Sequence, residues 1–313
     1  MDESLPAASC FPLDRGDPLA DHVSPMMNVR RAKPEDRARI LEISSQIWDG
    51  GDYVPELLDS WFSDHEGELA VATLDDHLIS FAHRTWLRPG MAWLEGIRTD
   101  PAWEGHGAGK AITEHFIREA ASDGATHIEL STHIENQASI HIIESYGFSR
   151  VGTFSYVERL ADVGSSQTTT ISGGIRNLSE SEAIDFVGTS QFLCRAHRRF
   201  PRGWRFFPFD HSPSEALARI THCGLEQNGV LQAVLCHSYD HERSMTIDFL
   251  DGEMAAMRSL LNHLLQSRQQ TTIAMMVPWD QGQHADALVV LKEAGFTSWT
   301  EFKPDVFAYE MVL

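Results

Sequence analysis

The sequence predicts a mixed α/β fold, an α+β arrangement on a mixed sheet, set down twice along 313 residues. Three observations carry this expectation. Apolar runs at 68–74, 77–86 and 91–99 read as consecutive strands, and a helical period takes over at 108–122. A polar stretch, "ADVGSSQTTTISGG" (161–174), then interrupts the chain with the composition of a linker. Beyond it the order of elements partly repeats. "LKEAGF" (291–296) echoes "IESYGF" (143–148), each leaving a helix through Gly-Phe into a strand.

The first unit opens with a short strand in "MNVRRAKPEDRARILEISSQIW" (27–48). Pro34 falls near the first helical turn, and the acids behind it suit a helix N-terminus. Ile40, Leu41, Ile43 and Ile47 give that helix its apolar face. "DGGDY" breaks it, and "VPELLDSWF" (54–62) starts a second helix at Pro55. Asp75-Asp76 is the turn between strands 68–74 and 77–86. Strand 91–99 ends at Asp100-Pro101 and leads into a glycine loop and helix 108–122. A strand at 126–132, a helix at 136–146 and a closing strand or strand pair at 148–160 complete the unit. In the second unit a helix is expected near 179–199, then strands near 218–226, 229–239 and 243–250. A helix over 252–268, a strand at 271–278, a helix at 284–294 and a last strand near 296–312 follow. The expected division is a disordered tail 1–26, a domain 27–160, a linker 161–174 and a domain 175–313; the length allows each domain a core.

Composition narrows the function classes. Hydrophobic content of 42% with 22% charged residues fits a soluble globular chain. The formal charge of −20 disfavours a nucleic-acid surface, which needs a basic stripe. No apolar run reaches membrane-spanning length, and the first 26 residues lack the basic start and apolar core of a signal peptide. The four cysteines, Cys10, Cys194, Cys223 and Cys236, form no CxxC pair, which points to a reducing cytoplasm rather than a disulfide or zinc-thiolate framework. The 16 histidines include no HExxH or similar spacing, so no metal is expected.

"EGHGAGKAIT" (104–113) carries the chemistry. Glycines at this density let backbone amides approach a ligand, and the following helix aims its free N–H groups at an anion. A Walker A loop would need glycine at 104 and Ser or Thr at 111, where Glu104 and Ala111 stand. The dinucleotide pattern GxGxxG fails too, because Gly105 and Gly107 are followed by Lys110. A strand, Asp-Pro, GxGxG and a helix remain. "LEGIRTDPAWEGHGAGKAI" (94–112) and "NQASIHIIESYGF" (136–148), with the element order of 27–160, resemble the GNAT superfamily of N-acetyltransferases. The resemblance implies a GNAT domain using acetyl-CoA, whose pyrophosphate would meet the amides of Gly105, His106, Gly107, Ala108, Gly109, Lys110 and Ala111. It also implies cofactor contacts at Ile97, Arg98, Thr99 and Asn136, the last with helix N-cap as its alternative. The family's loop motif is matched at Gly107 and Gly109, with Glu104 in its Arg/Gln place. "WDGGDYVPELLDSW" (48–61) and "WLEGIRTDP" (93–101) are similar to one subgroup, small-molecule amine acetyltransferases that include histidine N-acetyltransferase and carry a second half without the glycine loop.

Acetylating an amine requires a neutral nitrogen, a polarised thioester carbonyl and a thiolate leaving group. Strand alternation puts Trp93, Glu95, Ile97 and Thr99 on one face. Glu95 is then a general base or the carboxylate that holds the amine, with pairing to Arg98 or Arg84 as the structural alternative. Gly96 permits a bulge, and the Ile97 amide would donate to the thioester oxygen. The family's Tyr acid position holds Ile143; Tyr146, one turn on, is the substitute acid or a rim aromatic. Trp48, Asp49, Asp52, Tyr53 and Trp93 are expected to line a pocket for a small cationic or zwitterionic amine, with helix capping the alternative for Asp52. A homodimer is left open. The second half, lacking the loop, is expected to bind no CoA.

Overall fold

The computed structural model describes residues 27–160, 174–241, 244–267 and 272–313. The tail 1–26 and the linker up to residue 173 lie outside them. The first half runs β1 (Met27–Arg31), α1 (Arg37–Ser44), α2 (Val54–Ser63), β2 (Glu68–Leu74), β3 (His77–Arg88), β4 (Met91–Thr99), α3 (Ala108–Ser122), β5 (His127–His133), α4 (Gln137–Ser145) and β6 (Ser149–Arg159). The second runs β7 (Gly174–Asn177), α5 (Glu180–Thr189), α6 (Gln191–Arg195), β8 (Arg199–Arg202), β9 (Arg205–Pro208), α7 (Pro213–Ala216), β10 (Thr221–Gln227), β11 (Val230–His241) and β12 (Ser244–Gly252). It ends with α8 (Met254–Ser267), β13 (Thr272–Asp280), β14 (Gln283–His284), α9 (Ala287–Glu293) and β15 (Val306–Val312). Among the described residues no helix is long and apolar enough to cross a membrane.

The two halves have corresponding turns. Asp75-Asp76 joins β2 to β3 with φ of 47° and 65°, and Asn228-Gly229 joins β10 to β11 with 52° and 78°. Both are two-residue turns with positive φ throughout, the kind that matches strand twist. Helix α4 ends at Gly147 (φ 91°) and α9 at Gly295 (φ 84°), where a side chain would be strained. In each case the next amide reaches back to close the last turn: Phe148 to Ile143 at 3.2 Å and Phe296 to Leu291 at 3.0 Å. In both halves one strand pair is parallel, β4 with β5 and β12 with β13.

The halves share one sheet of order β1-β2-β3-β4-β5-β15-β6-β13-β12-β11-β10-β7, with β14 on the side of β13. The last strand of each half has crossed over. β15 lies between β5 and β6, and β6 lies between β15 and β13. In the first half α1 and α2 cover one face through Ile40, Ile43, Leu58 and Trp61. Helices α3 and α4 cover the other through Ile112, Phe116 and Ile143. A cluster of Trp93, Phe154, Phe206, Met276 and Val306 joins the halves.

Two expectations are corrected. The helix expected over 179–199 is two helices, broken at Ser190, whose hydroxyl accepts from Leu193 N and caps the second. The hairpin β8–β9 and helix α7 then fill the stretch before β10, for which the sequence pattern predicts no element. The strand expected from 296 begins only at Val306.

Candidate active site

Strands β4 and β5 are paired only from Met91–His127 to Leu94–Leu130. Past Leu94 they part, so the sheet opens in a V at the ends that lead to the glycine loop and α4. The register with β3 runs from His83–Glu95 to Phe81–Arg98 and skips Gly96 and Ile97, so β4 carries a bulge there. Gly96 has a φ of 66°, and a Cβ on it would stand 2.3 Å from the Trp61 ring, so only glycine fits. The bulge corrects the predicted alternation, because one extra residue shifts every side chain after it to the other face. Ile97 turns to the α3 side, in the core with Phe116, and Arg98 comes to the side of Glu95.

At the end of β4, Asp100 accepts from Ala102 N at 2.8 Å and is ion-paired with Arg39 of α1, which fixes the chain's exit from β4 towards the α3 side. His106 Nδ1 bonds the carbonyls of Trp103 and Glu104 at 3.2 and 3.1 Å. Gly105 and Gly107 take φ of 79° and 84°, and a Cβ on either would meet nothing within 4 Å, so their role is backbone conformation rather than clearance. Gly107 caps α3 and accepts from Ala111 N at 2.9 Å. The amides of Ala108, Gly109 and Lys110 therefore precede the first intrahelical bond and point out of the helix. No acid sits in the first turn of α3, and the exposed Glu104 lies before the loop. Gly109 faces Ile142 and Ile97, which seats the helix start against β4 and α4.

Asn136 caps α4, its Oδ1 accepting from Ser139 N at 3.1 Å. Tyr146 is on this side as well; its hydroxyl donates to Glu114 at 3.2 Å, and burial together with that carboxylate raises its pKa. The structure therefore joins Tyr146 to α3 and not to Glu95. Ile143 is core.

The opposite face holds the acid. Glu95 Oε1 accepts from His83 Nδ1 at 3.0 Å, and His83 stacks on Trp61 with ring centres 4.9 Å apart. From the second half, Arg205 on β9 donates Nη2 to both oxygens of Glu95 at 3.0 Å and Nε to Oε2 at 3.3 Å. Burial alone would raise this carboxyl; the His83 hydrogen bond and the Arg205 charge outweigh it and hold the Glu95 pKa below its ordinary value. Neither of the partners expected from sequence is used. Arg84 pairs with Asp123 at 2.6 Å. Arg98 grips Asp52 through Nη2 at 2.9 Å and Nε at 3.2 Å, and lies under Trp48 and Tyr53 at 4.5 and 5.3 Å from their rings.

The predicted acceptor residues divide accordingly. Trp48 (64% exposed) and Tyr53 (40%) reach the surface, and Asp49 is exposed with a φ of 54°. Asp52 is not open to a ligand: it is 7% exposed, bound by Arg98, and accepts from Ser44 at 2.8 Å. Trp93 is 2% exposed, buried where the halves meet, so it supports the site and does not line it. Thr99 ties β4 to Ser80 at 3.1 Å.

Sequence reasoning missed His83, Trp61 and Arg205. His83 could have been found by pairing strands around the Asp75-Asp76 turn. Arg205 comes from 110 positions away and gives no local signal. Its hairpin is anchored by Arg199, which bonds Glu129 at 2.6 Å and Glu310 at 2.9 Å, and by Ser131 Oγ, which donates to Trp204 O at 2.9 Å. Burial pushes the Glu129 pKa up to about 8 despite Arg199.

A bulged β4, a parallel neighbour that splays away and an open helix N-terminus behind a glycine loop define the acetyltransferase fold of the GNAT type. Residues 36–148 match the model of the Acetyltransferase (GNAT) family. A mycothiol acetyltransferase from Kocuria rhizophila is 30% identical over 97 residues, which is 29% of this chain and 32% of that protein. The chain thus spans about a third of the length of that relative. A GCN5-related N-acetyltransferase from Sphaerobacter thermophilus superposes with a TM-score of 0.61 at 13% identity, over 91% of this chain and 95% of that one. A second, from Anabaena variabilis, gives 0.50 at 13% identity, over 92% and 73%. At such identity these two establish the fold alone.

Proposed function

We propose that the protein is an N-acetyltransferase that moves the acetyl group of acetyl-CoA to the amine of a small molecule. The observation that carries this reading is the open amide row at the start of α3, beside the V between β4 and β5, with Glu95 on the far face of the same strand. Outward amides and the helix dipole suit a pyrophosphate, and the absence of acid in that first turn removes the repulsion an anion would meet. The pantetheine arm would enter the V from there, and the acceptor amine would approach from the α2 and hairpin side, where Glu95 orients it. The amine nitrogen forms a bond to the thioester carbon, the C–S bond breaks and CoA leaves as thiolate. Of the two protons the ammonium gives up, one goes to that thiolate and one to solvent. In this reading the Ile97 amide, in the bulge, would bind the carbonyl oxygen as charge develops on it.

The second half serves as scaffold in this reading, a degenerate copy that supplies Arg205. The test pairs two measurements. Acetyl-CoA should raise the melting temperature where ATP with magnesium does not, and thiol release from acetyl-CoA should require an amine from a panel of amino acids, polyamines, aminoglycosides and peptides. A melting shift without release for any amine would make the protein a CoA-binding sensor instead.

A further inference from the structure

Two arginines stand on the acceptor side, and they differ in what they have left to give. Arg98 is 12% exposed in its side chain; Nε and Nη2 are bound to Asp52 and Nη1 donates to the Ile97 carbonyl at 3.1 Å. Its donors are largely committed. Arg205 is 42% exposed in its side chain and spends Nε and Nη2 on Glu95. Among the described residues its Nη1 donates to no group. A guanidinium has five N–H donors in a planar fork that fits a carboxylate with two parallel bonds. One edge of Arg205 is therefore occupied by Glu95, and the outer edge is open.

An open guanidinium edge beside a held carboxylate presents opposite charges side by side. An amine bearing only positive charge would use Glu95 and meet the Arg205 charge as a repulsion. A molecule with a carboxylate one or two bonds from its amine would satisfy both at once, its carboxylate on Nη1 and its ammonium on Glu95. Resting on the function proposed above, we infer that Arg205, contributed by the second half, selects an acceptor whose amine lies next to a carboxylate: a free α-amino acid or a compound ending in one. The fixed hairpin makes this a rigid choice. Arg199 and Trp204 hold β8–β9 to β5 and β15, so Arg205 need not be drawn into place by the ligand.

The experiment compares kcat/KM for amino acids with those for their decarboxylated amines and their carboxamides: phenylalanine, tryptophan, lysine and histidine, each with its two analogues. Each set shares a side chain and differs in the carboxylate. The wild-type protein should favour the acid by roughly 10- to 100-fold, the range a charge-assisted hydrogen-bond pair supplies. Arg205→Met should collapse that ratio towards one, and Arg205→Lys should retain part of it. Removing Arg205 also disturbs Glu95, but this acts on acid and amine alike and cancels in the ratio. Because the wild-type comparison needs no variant, misfolding of Arg205→Met would not protect the inference. Amines or carboxamides used as well as the acids would overturn it and leave the proposed function standing. Acetyl-CoA stabilisation with no amino acid acetylated would also overturn it. No stabilisation by acetyl-CoA and no release with any probe would bring down the proposed function itself.

Discussion

At the scale of single residues, the position of Glu95 was legible and its partners were not. Strand alternation placed it correctly because the count from Met91 to Glu95 precedes the bulge. The same count misplaced Ile97 and Arg98 because Gly96 inserts an extra residue, and glycine announces a bulge without saying which neighbour turns. Asp52 looked like a ligand for a cation, and the cation turned out to be Arg98 of the same chain. The environment of Glu95 also bears on its role. A carboxylate held below its ordinary pKa by His83 and Arg205 remains ionised through neutral pH and is a poor place for a proton to rest. We therefore expect Glu95→Gln to raise the acceptor KM, lower kcat/KM by about 10- to 100-fold, and leave kcat nearly unchanged, the signature of lost binding. In both proteins kcat/KM should rise with pH in parallel, following deprotonation of the acceptor amine. A fall in kcat with unchanged KM, together with a shifted acidic limb, would make Glu95 the base after all.

At the scale of elements, the regular strands and helices of both halves could be read from periodicity, and the glycine loop from its spacing. The hairpin β8–β9 could not. "RFPRGWRFFP" mixes arginine with aromatics without alternation, because it packs against the junction of two halves rather than on one solvated face. Helices α3 and α8 each follow a strand of a parallel pair, and their starts are built differently. Glu253 accepts from Ala256 N at 2.9 Å, and its own amide is bound to Gln232 at 2.8 Å. Gly252 sits so close to the neighbouring strand that a Cβ would stand 2.3 Å from Gln232 O. Asp251 accepts from Phe192 N and Gly252 N, each at 2.9 Å. A pyrophosphate at α8 would meet two carboxylates and amides already in use, and the helix dipole does not outweigh that. Calorimetric titration of the whole chain with acetyl-CoA should give one site per chain. Two sites, or one site that survives disruption of the loop by Gly107→Val, would contradict this reading.

At the scale of the whole molecule, the polar stretch 161–174 suggested a boundary between two units, and nothing in the local pattern revealed that their last strands change places. Strand exchange depends on which edge each strand finds in space, which local periodicity does not record. The consequence is mechanical. β15 pairs along its full length with β5 from Val306–His133 to Val312–His127, and with β6 from Val306–Phe154 to Glu310–Ser149. It brings Tyr309 into the core beneath α3 and α4, where the hydroxyl donates to Glu144 at 2.8 Å. Burying a side chain such as Val306 or Tyr309 is worth about 1.5–3 kcal/mol each, against a total domain stability of about 5–15 kcal/mol. Losing β15 removes both, and leaves β5 with a bare edge prone to pair with other chains. We therefore expect a chain ending at residue 305 to aggregate and to lose its acetyl-CoA melting shift, although every residue of the glycine loop is intact. Pieces 1–160 and 174–313, made separately, should fail in the same way, whereas made together they should assemble and regain the shift. Circular dichroism, size-exclusion chromatography and thermal melts with acetyl-CoA distinguish the cases. A piece 1–160 that is a folded monomer and responds to acetyl-CoA would mean that β6 can return to its own half, and that the exchanged sheet is not required for the site.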